Sequence, residues 1–295
     1  MEPLACLNGE ILPAAEAKVS IWDRGFLFGD SIYEVMRLYS GRMWIEEIHF
    51  ARLRRSLREM QFPSVDLGRM RERIGRLLAA GEVREGTVYI QVTRGVAPRL
   101  HAFPDPPVSP TELIVIRSYE DGPTALLRES GVAAISQPDL RWKRRDVKST
   151  NLLGNVLANE AAHRNKAYEA ILVDDGIVTE ATHSSLLWVR EGRLEATPEG
   201  HEILPGTTRA GLSKVASGEG LPIQAGRVTL EELLAADEVI LTGTTIEVLP
   251  VVSIDGHMIG GGRPGPVARR LQSGFRTAVA NWLATPEIVD WTAPS

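Results

Sequence analysis

The sequence has little cysteine and no long apolar run. Its single cysteine, Cys6, excludes an intramolecular disulfide framework, argues against a thiolate metal site and is typical of a reducing cytoplasm. No apolar run approaches the roughly 18 residues that span a bilayer, and residues 1–10 lack the basic and apolar regions of a signal peptide. These absences predict a soluble, cytoplasmic protein with no membrane partner.

Several catalytic signatures are also missing. Neither a Walker A motif nor a GxGxxG fingerprint occurs, which argues against ATP and NAD as ligands. The six histidines show no HExxH or HxxxH spacing, so we expect no metal site, and the lack of a Gly-x-Ser-x-Gly elbow argues against a serine hydrolase. A formal net charge of -5 argues against nucleic acid as a partner, because phosphate binding favours a basic surface.

The composition is that of a globular protein, with 43% hydrophobic and 24% charged residues in 295. That length allows one large or two ordinary domains. In the first part of the chain, an Asn8-Gly9 turn indicates a hairpin over Leu4–Leu12, and apolar periodicity predicts helices over Glu46–Met60 and Leu67–Ala80. The strands predicted there are Ala17–Trp22, Ser31–Tyr39, Arg42–Ile45, Thr87–Thr93 and Leu113–Ser118.

These patterns predict two domains of mixed helices and strands. Residues 1–118 form a smaller N-terminal α+β domain, and residues 119–124, which contain Asp121-Gly122-Pro123, form a linker. Residues 125–284 form a larger C-terminal domain, and residues 285–295 are a tail. Elements predicted in the second domain are the strand Val132–Ser136, a helix over Leu152–Asn165, two hairpins, a helix that begins near Thr207 and the strand Glu238–Leu241.

Lys148 and Glu180 form the most informative pair of residues. Lys148 lies between a β-like run and a helical stretch, and Glu180 follows an apolar strand and an Asp174-Asp175-Gly176 turn. A lysine that can form a Schiff base, with a carboxylate that holds a protonated pyridine nitrogen, is what pyridoxal phosphate chemistry requires. A lone lysine is more often a solvated surface charge, so the case depends on the residues around the pair.

Two Gly-Thr turns supply candidate phosphate contacts. Gly206-Thr207-Thr208 lies at a predicted helix start, where free N–H groups suit an anion, and Gly243-Thr244-Thr245 follows a predicted strand. Taken singly, each is better explained as a helix cap or an ordinary turn. Their occurrence together with Lys148 and Glu180 favours a phosphate site.

With these residues, the chain closely resembles the fold-type IV (class IV) pyridoxal-phosphate aminotransferases over roughly Asn8 to Asp255. The resemblance implies an α+β / α/β fold of two domains, with the cofactor site in the cleft between them. The segments that carry it are DRGFLFGDSIYEV (23–35), HFARL (49–53), KSTNLLGNVLA (148–158), TEATHSS (179–185), ILPGTTR (203–209) and TGTTIEVLPV (242–251).

The resemblance implies a role for each matching residue. Lys148 is implied to be the Schiff-base lysine and proton carrier, and Glu180 the partner of the pyridine nitrogen. Arg52 is implied to bind the cofactor phosphate. The remaining implied cofactor contacts are Leu204 against the ring and Thr207, Thr208, Gly243 and Thr244 at the phosphate.

Within the family, the segment 93–101 discriminates between substrates. Arg99-Leu100-His101 resembles the Arg-x-His that traps the substrate carboxylate in D-amino-acid aminotransferases, together with a tyrosine that here is Tyr33. The resemblance therefore implies transfer of an amino group from a D-amino acid of the D-alanine type to 2-oxoglutarate, which gives a 2-oxo acid and D-glutamate. It also implies a homodimer.

Departures from the family pattern and three alternatives remain. Thr182-His183-Ser184-Ser185 stands where many D-specific members have Ser-Ser-Ser-Asn, and we expect His183 to cap a turn. The alternatives within the family are an aminodeoxychorismate lyase and transamination of branched-chain L-amino acids or (R)-amines. A noncatalytic cofactor-binding protein is the third, but it would need neither Lys148 nor Glu180.

Overall fold

A computed structural model describes residues 3–284 of the chain, so the predicted tail at 285–295 lies outside the described residues. The chain divides into two compact units. The first unit consists of residues 3–120 and Val147–Asn151, and the second of Asp121–Asp146 and residues 152–284. Between residues 3 and 284, no helix is long and apolar enough to cross a membrane.

The first unit is built on an antiparallel six-stranded sheet with the order β2-β1-β6-β5-β3-β4. Its strands and helices are β1 (Leu4–Leu7), β2 (Glu10–Pro13), α1 (Arg24–Phe28), β3 (Ser31–Tyr39), β4 (Arg42–Met43), α2 (Glu46–Glu59), α3 (Leu67–Gly81), β5 (Gly86–Thr93) and β6 (Thr111–Ser118).

Most elements predicted for this unit are confirmed, including the Asn8-Gly9 hairpin, whose two turn residues have positive φ angles of 52° and 99°. The predicted strand Ala17–Trp22 is wrong, because this segment pairs with no strand. Its apolar residues Val19 and Ile21 are exposed, so their alternation does not face a core.

The second unit is built on a mixed nine-stranded sheet with the order β12-β11-β10-β13-β14-β7-β8-β9, and β15 pairs with β14. Its elements are α4 (Gly122–Ser130), β7 (Val132–Pro138), α5 (Leu153–Arg164), β8 (Glu169–Asp174), β9 (Ile177–Ala181), β10 (Ser185–Arg190), β11 (Arg193–Ala196), α6 (Thr207–Gly218), β12 (Gln224–Ala225), α7 (Leu230–Leu234), β13 (Glu238–Gly243), β14 (Glu247–Ile254), β15 (His257–Met258) and α8 (Pro266–Ala284). Trp188, Leu241 and Leu249 lie in its apolar core.

The structure differs from the predicted division at two places. The predicted linker 119–124 contains the start of α4, because Asp121-Gly122-Pro123 begins a helix that tolerates proline in its first turn. Val147–Asn151, which the prediction assigned to the C-terminal domain, groups with the first unit. This short segment runs against β3, where Ser149 forms a bridge with Ile32.

Candidate active site

Lys148 is held by the backbone of β3. The Lys148 carbonyl accepts a hydrogen bond from the Tyr33 N–H at 2.9 Å, and the Thr150 N–H donates to the Ser31 carbonyl at 3.1 Å. The Lys148 side chain is half-buried, with Nζ 4.3 Å from the centroid of the Tyr33 ring. Within residues 3–284, no carboxylate forms an ion pair with this amine. Backbone hydrogen bonds therefore fix the position of Lys148. Its amine is not paired with a carboxylate among the described residues, and a nucleophilic amine must be unpaired in this way.

Arg52 belongs to a buried charge cluster below β3. Its Nε and Nη2 donate to the two oxygens of Glu34 at 2.7 and 2.8 Å, and Nδ1 of His49 lies 2.8 Å from Glu34 Oε2. Burial would raise the pKa of Glu34, but the charge and hydrogen bonds of Arg52, together with His49, lower that pKa to about 2. Burial also lowers the pKa of His49. The paired Glu34 carboxylate thus fixes the orientation of the guanidinium.

Sequence reasoning missed Glu34, although a signal was present. Ile32, Glu34 and Met36 alternate on one face of β3, and all three are buried. A carboxylate on a core-facing position needs a cation, because an unpaired buried charge is costly. Glu34 could therefore have been matched to an arginine and a histidine three residues apart, on one face of the following helix.

The predicted carboxylate trap is only partly assembled. Tyr33 lies beside Lys148, as described above. Arg99 and His101 are exposed, and both lie against Phe28: the guanidinium carbon is 5.3 Å and the imidazole centroid 5.6 Å from the centre of its ring. In the part of the chain that the structure describes, no hydrogen bond or ion pair joins Arg99 or His101 to Tyr33.

In the second unit, Glu180 lies near the end of β9 and is buried. One of its oxygens contacts Nη1 of Arg141, and the Leu204 N–H lies 3.2 and 3.3 Å from the two oxygens. Burial raises the pKa of Glu180, although Arg141 and the Leu204 N–H oppose that rise. A buried carboxylate with a fixed orientation suits a protonated ring nitrogen.

Arg141 and Asp139 are functional candidates that sequence reasoning missed. Nε of Arg141 donates to Asp139 Oδ1 at 2.9 Å, Nη2 donates to Oδ2 at 2.6 Å, and the Thr179 hydroxyl donates to Oδ2 at 2.7 Å. The Asp139 side chain is fully buried, and the pKa of Asp139 is lowered, since Arg141 outweighs the opposing effect of burial. In sequence, Arg141 is one cation in a basic run, so only its contacts distinguish it from a solvated arginine.

The first Gly-Thr turn begins α6. Gly206 is the N-cap residue and has no side-chain cap, and Thr207 and Thr208 are buried in the first turn. A Cβ at Gly206 would collide with Oγ of Ser185. The uncapped N–H groups of this turn can donate to a phosphate.

The second Gly-Thr turn follows β13. A Cβ at Gly243 would lie 3.2 Å from Ile246 and 3.6 Å from Oγ of Ser184. The neighbouring Thr242 hydroxyl is buried and has no hydrogen-bond partner within the described residues. Such an orphaned donor beside a glycine turn fits an external oxyanion.

His183 lies in the turn between β9 and β10. Its N–H donates to Oε1 of Glu169 at 2.6 Å, and its half-exposed imidazole contacts Ser184, with Nδ1 3.1 Å from Oγ. The residue thus contributes to the structure of the turn. Ser185, the second departure from the family pattern, begins β10 and contacts the Gly206 turn.

The comparison that decides the family is the profile of the amino-transferase class IV family, which matches residues 31–254. This chain is a class IV aminotransferase. The matched range runs from the start of β3 to the end of β14, so it contains Lys148, Glu180 and both Gly-Thr turns. The resemblance read from the sequence is confirmed.

Relatives and solved structures agree with this assignment. The class IV aminotransferase described here is 44% identical to the D-alanine aminotransferase of Staphylococcus haemolyticus, covering 91% of this chain and 95% of that protein. It is 37% identical to the D-alanine aminotransferase of Bacillus licheniformis, covering 94% and 97%. The branched-chain amino acid aminotransferase of T.th., solved with pyridoxamine 5'-phosphate, shares the fold with a TM-score of 0.88 and 27% identity, over 95% of both chains. The predicted fold is confirmed.

Proposed function

We propose that this enzyme transfers the amino group of a D-amino acid, such as D-alanine, to 2-oxoglutarate, which gives a 2-oxo acid and D-glutamate. The observation that carries the proposal is the 37–44% identity to D-alanine aminotransferases over at least 91% of the chain. The branched-chain aminotransferases match the fold at only 25–28% identity.

Pyridoxal phosphate is the cofactor, and the residues proposed for it in each unit, taken separately, fit its chemistry. When bound, it supplies an aldehyde that captures an amino group and a protonated ring that withdraws electrons. Among the described residues, Lys148 forms no ion pair through its amine, and Glu180 offers a buried carboxylate for the ring nitrogen. Thr207, Thr208, Gly243 and Thr244 form turns that would hold the phosphate. Arg52 would be its guanidinium partner, and Leu204 would pack against the ring.

Lys148 would hold the cofactor through its aldehyde, and its amine would carry the proton that leaves the substrate Cα. Its backbone hydrogen bond with Tyr33 fixes the position from which the side chain extends, and Nζ lies 4.3 Å from the centre of the Tyr33 ring. Glu180 would keep the ring nitrogen protonated, and Arg141 orients Glu180 by holding one of its oxygens. Arg99, His101 and Tyr33 bind the substrate carboxylate.

The enzyme acts as a homodimer. The first unit exposes an apolar patch formed by two neighbouring segments, in which Arg24 Nη1 donates to the Leu100 carbonyl at 2.6 Å and Ala97 N–H to the Trp22 carbonyl at 3.3 Å. We define this as the Trp22 patch, made up of Ile21, Trp22, Phe26, Val96, Leu100 and Phe103, whose side chains are 47–71% exposed. A patch of this kind marks a protein interface. Burial between two subunits would also place the exposed Arg99 and His101 at the subunit boundary.

The reaction and its substrate are tested by incubating the cofactor-loaded enzyme with D-alanine and 2-oxoglutarate and separating the products by chiral chromatography. D-glutamate together with pyruvate supports the proposal. Pyruvate released from aminodeoxychorismate without a 2-oxo acid acceptor would favour the lyase instead. L-glutamate formed from a branched-chain L-amino acid would favour that activity, and no product from any of these would favour a noncatalytic protein.

The carboxylate trap is tested separately with Arg99→Ala. We expect the KM for D-alanine to rise about tenfold or more, while the affinity for pyridoxal phosphate stays unchanged, because Arg99 binds only substrate. An unchanged KM would remove Arg99 from the trap. Arg54→Ala, at an exposed position on α2, is the matched control.

A further inference from the structure

Glu169 is a fully buried carboxylate at the start of β8. Its only ion-pair partner within residues 3–284 is His183, with Nδ1 at 3.2 Å, and no lysine or arginine reaches it. Four hydrogen bonds from the Thr182-His183-Ser184 turn satisfy it instead. The N–H groups of His183 and Ser184 and the Thr182 hydroxyl donate to Oε1 at 2.6, 3.0 and 3.1 Å, and the Ser184 hydroxyl donates to Oε2 at 2.8 Å.

The turn that Glu169 holds lies between two parts of the candidate site. It begins two residues after Glu180, and it ends at Ser185, the first residue of β10. Asn155 supports the same turn from α5, where its side-chain amide donates to the Thr182 carbonyl at 2.5 Å. Hydrogen bonds thus tie each residue of the turn to the one buried carboxylate of Glu169.

Both Gly-Thr turns contact the serines of this one turn. Gly206 lies so close to Ser185 that a Cβ would collide with the serine hydroxyl, and a Cβ at Gly243 would lie 3.6 Å from the hydroxyl of Ser184. The strand ladder also pairs Ser185 with Thr242, whose hydroxyl is the orphaned donor next to the second turn. The position of the Thr182-His183-Ser184 turn, together with Ser185, therefore sets the distance between the two Gly-Thr turns that supply the phosphate donors.

We propose that Glu169 is a positioning residue for the cofactor phosphate. Its carboxylate holds Ser184, and through the chain the adjacent Ser185, against the two Gly-Thr turns, and so determines how tightly these turns bind a phosphate. Its carboxylate also accepts hydrogen bonds from the N–H groups of His183 and Ser184. These two groups are then not available to the phosphate, which binds the donors of α6 and β13 instead. This inference rests on the proposed function, since the anion is the phosphate of the proposed cofactor.

The test uses two probes that form no covalent bond with Lys148: pyridoxamine 5'-phosphate and pyridoxamine, which lacks the phosphate. In Glu169→Ala, we expect the Kd for pyridoxamine 5'-phosphate to rise about tenfold or more, because the four donors of the turn lose their acceptor. The Kd for pyridoxamine should change by less than about twofold, since this probe does not use the Gly-Thr turns. Fluorescence titration measures both constants.

Glu169→Gln is the matched control. The glutamine oxygen can still accept from Thr182, His183 and Ser184, and its amide can donate to the Ser184 hydroxyl, which can reverse its role. We therefore expect the wild-type ratio of the two Kd values to return within about threefold. Thr182→Val removes one hydrogen bond and retains the carboxylate, so it should give an intermediate ratio even if Glu169→Ala fails to fold.

Three results would contradict the inference. An equal loss of affinity for both probes in Glu169→Ala would mean a general structural role, and unchanged affinity for both would mean no role. A wild-type ratio in Thr182→Val, in the absence of a folded alanine variant, would also overturn it. If the wild-type protein binds neither probe, the proposed function itself fails. If the wild-type protein binds both probes and only the variants give a contradicting result, this inference fails and the proposed function stands.

Discussion

At the residue scale, buried ion pairs organise both halves of the candidate site. Glu34 holds Arg52 in the first unit, and Asp139 holds Arg141 against Glu180 in the second. Each of these carboxylates is buried, and a buried charge is costly unless it is paired. A guanidinium group pairs with each of them. The pairs therefore link cofactor binding to stability.

Because Glu34 is buried and ion-paired, we expect the free energy of unfolding to fall in acid. Its folded pKa of about 2 lies below the ordinary value of 4.5, so its contribution is fully present above pH 4.5 and is lost as pH falls through 2. That contribution amounts to about 3 kcal/mol at neutral pH, of which about 2 kcal/mol is lost by pH 3.

Urea denaturation of the cofactor-free protein at pH 7 and pH 3 measures this loss. We expect the free energy of unfolding of Glu34→Gln to fall between the two pH values by about 2 kcal/mol less than that of the wild type. Glu10→Gln, at an exposed position, should follow the wild type. Parallel curves for Glu34→Gln and the wild type would contradict the assignment.

For the Arg141→Met variant, we expect the loss in free energy of unfolding to grow as the pH rises. Loss of the guanidinium leaves Glu180 buried without its cation and leaves Asp139 with Arg145 alone, which should lower the free energy of unfolding by about 3–5 kcal/mol. Without Arg141 the folded pKa values of both carboxyls rise, so the folded state must keep protons that the unfolded state releases. The deficit should therefore be larger at pH 8 than at pH 5. Arg54→Met, at an exposed position on α2, is the control. A loss of stability that does not depend on pH would contradict this explanation.

The residue scale also shows the limit of the sequence. Lys148, Glu180 and the Gly-Thr turns could be found because each lies in a distinctive local pattern. Arg141 and Asp139 could not, because their importance comes from contacts with β9, which is distant in sequence. Glu34 lies between these cases, since the alternation of β3 already places it among core residues.

At the element scale, local sequence predicts most helices and strands well. α2, α3, β3 and β5 follow their apolar periodicity closely. The helix α4 was missed because its first residues resemble a turn, and the strand at Ala17–Trp22 was wrong because alternation needs a partner strand. The pairing of Val147–Asn151 with β3 is a long-range contact that periodicity does not reveal.

Two glycines, one at the start of a helix and one inside a helix, distinguish a site role from a structural one. Gly206→Ala should raise the Kd for pyridoxal phosphate about tenfold or more, because the new Cβ collides with Ser185 and displaces the start of α6. Gly75 lies at an exposed position inside α3, where a Cβ meets nothing within 4 Å. Gly75→Ala should therefore leave the Kd unchanged and stabilise the fold by about 0.5–1 kcal/mol. Equal Kd values for both variants would contradict the placement of the phosphate turn.

At the scale of the whole molecule, exposed apolar surface supports self-association. In addition to the Trp22 patch of the first unit, the second unit exposes Leu153, Val156 and Leu157 on one face of α5, together with Leu140. These side chains are 57–74% exposed. Monomeric proteins rarely leave such groups uncovered.

Phe26→Asp should weaken the proposed homodimer, because a charge in the Trp22 patch would be buried at the proposed interface. We expect the dimer dissociation constant, measured by sedimentation, to rise about 30-fold or more, and transaminase activity to fall as the dimer dissociates. Leu126→Asp is the control, since Leu126 is similarly exposed on α4 and outside both patches. A monomeric wild-type protein with full activity would overturn the dimer proposal.

The most direct measurement is the visible absorbance of the enzyme loaded with pyridoxal phosphate, before and after D-alanine, with L-alanine as the paired control. We expect the band of the lysine-bound cofactor to disappear with D-alanine and persist with L-alanine, and to be absent from Lys148→Ala from the start. A band that persists with D-alanine, or that disappears equally with L-alanine, would contradict transamination of D-amino acids by this enzyme.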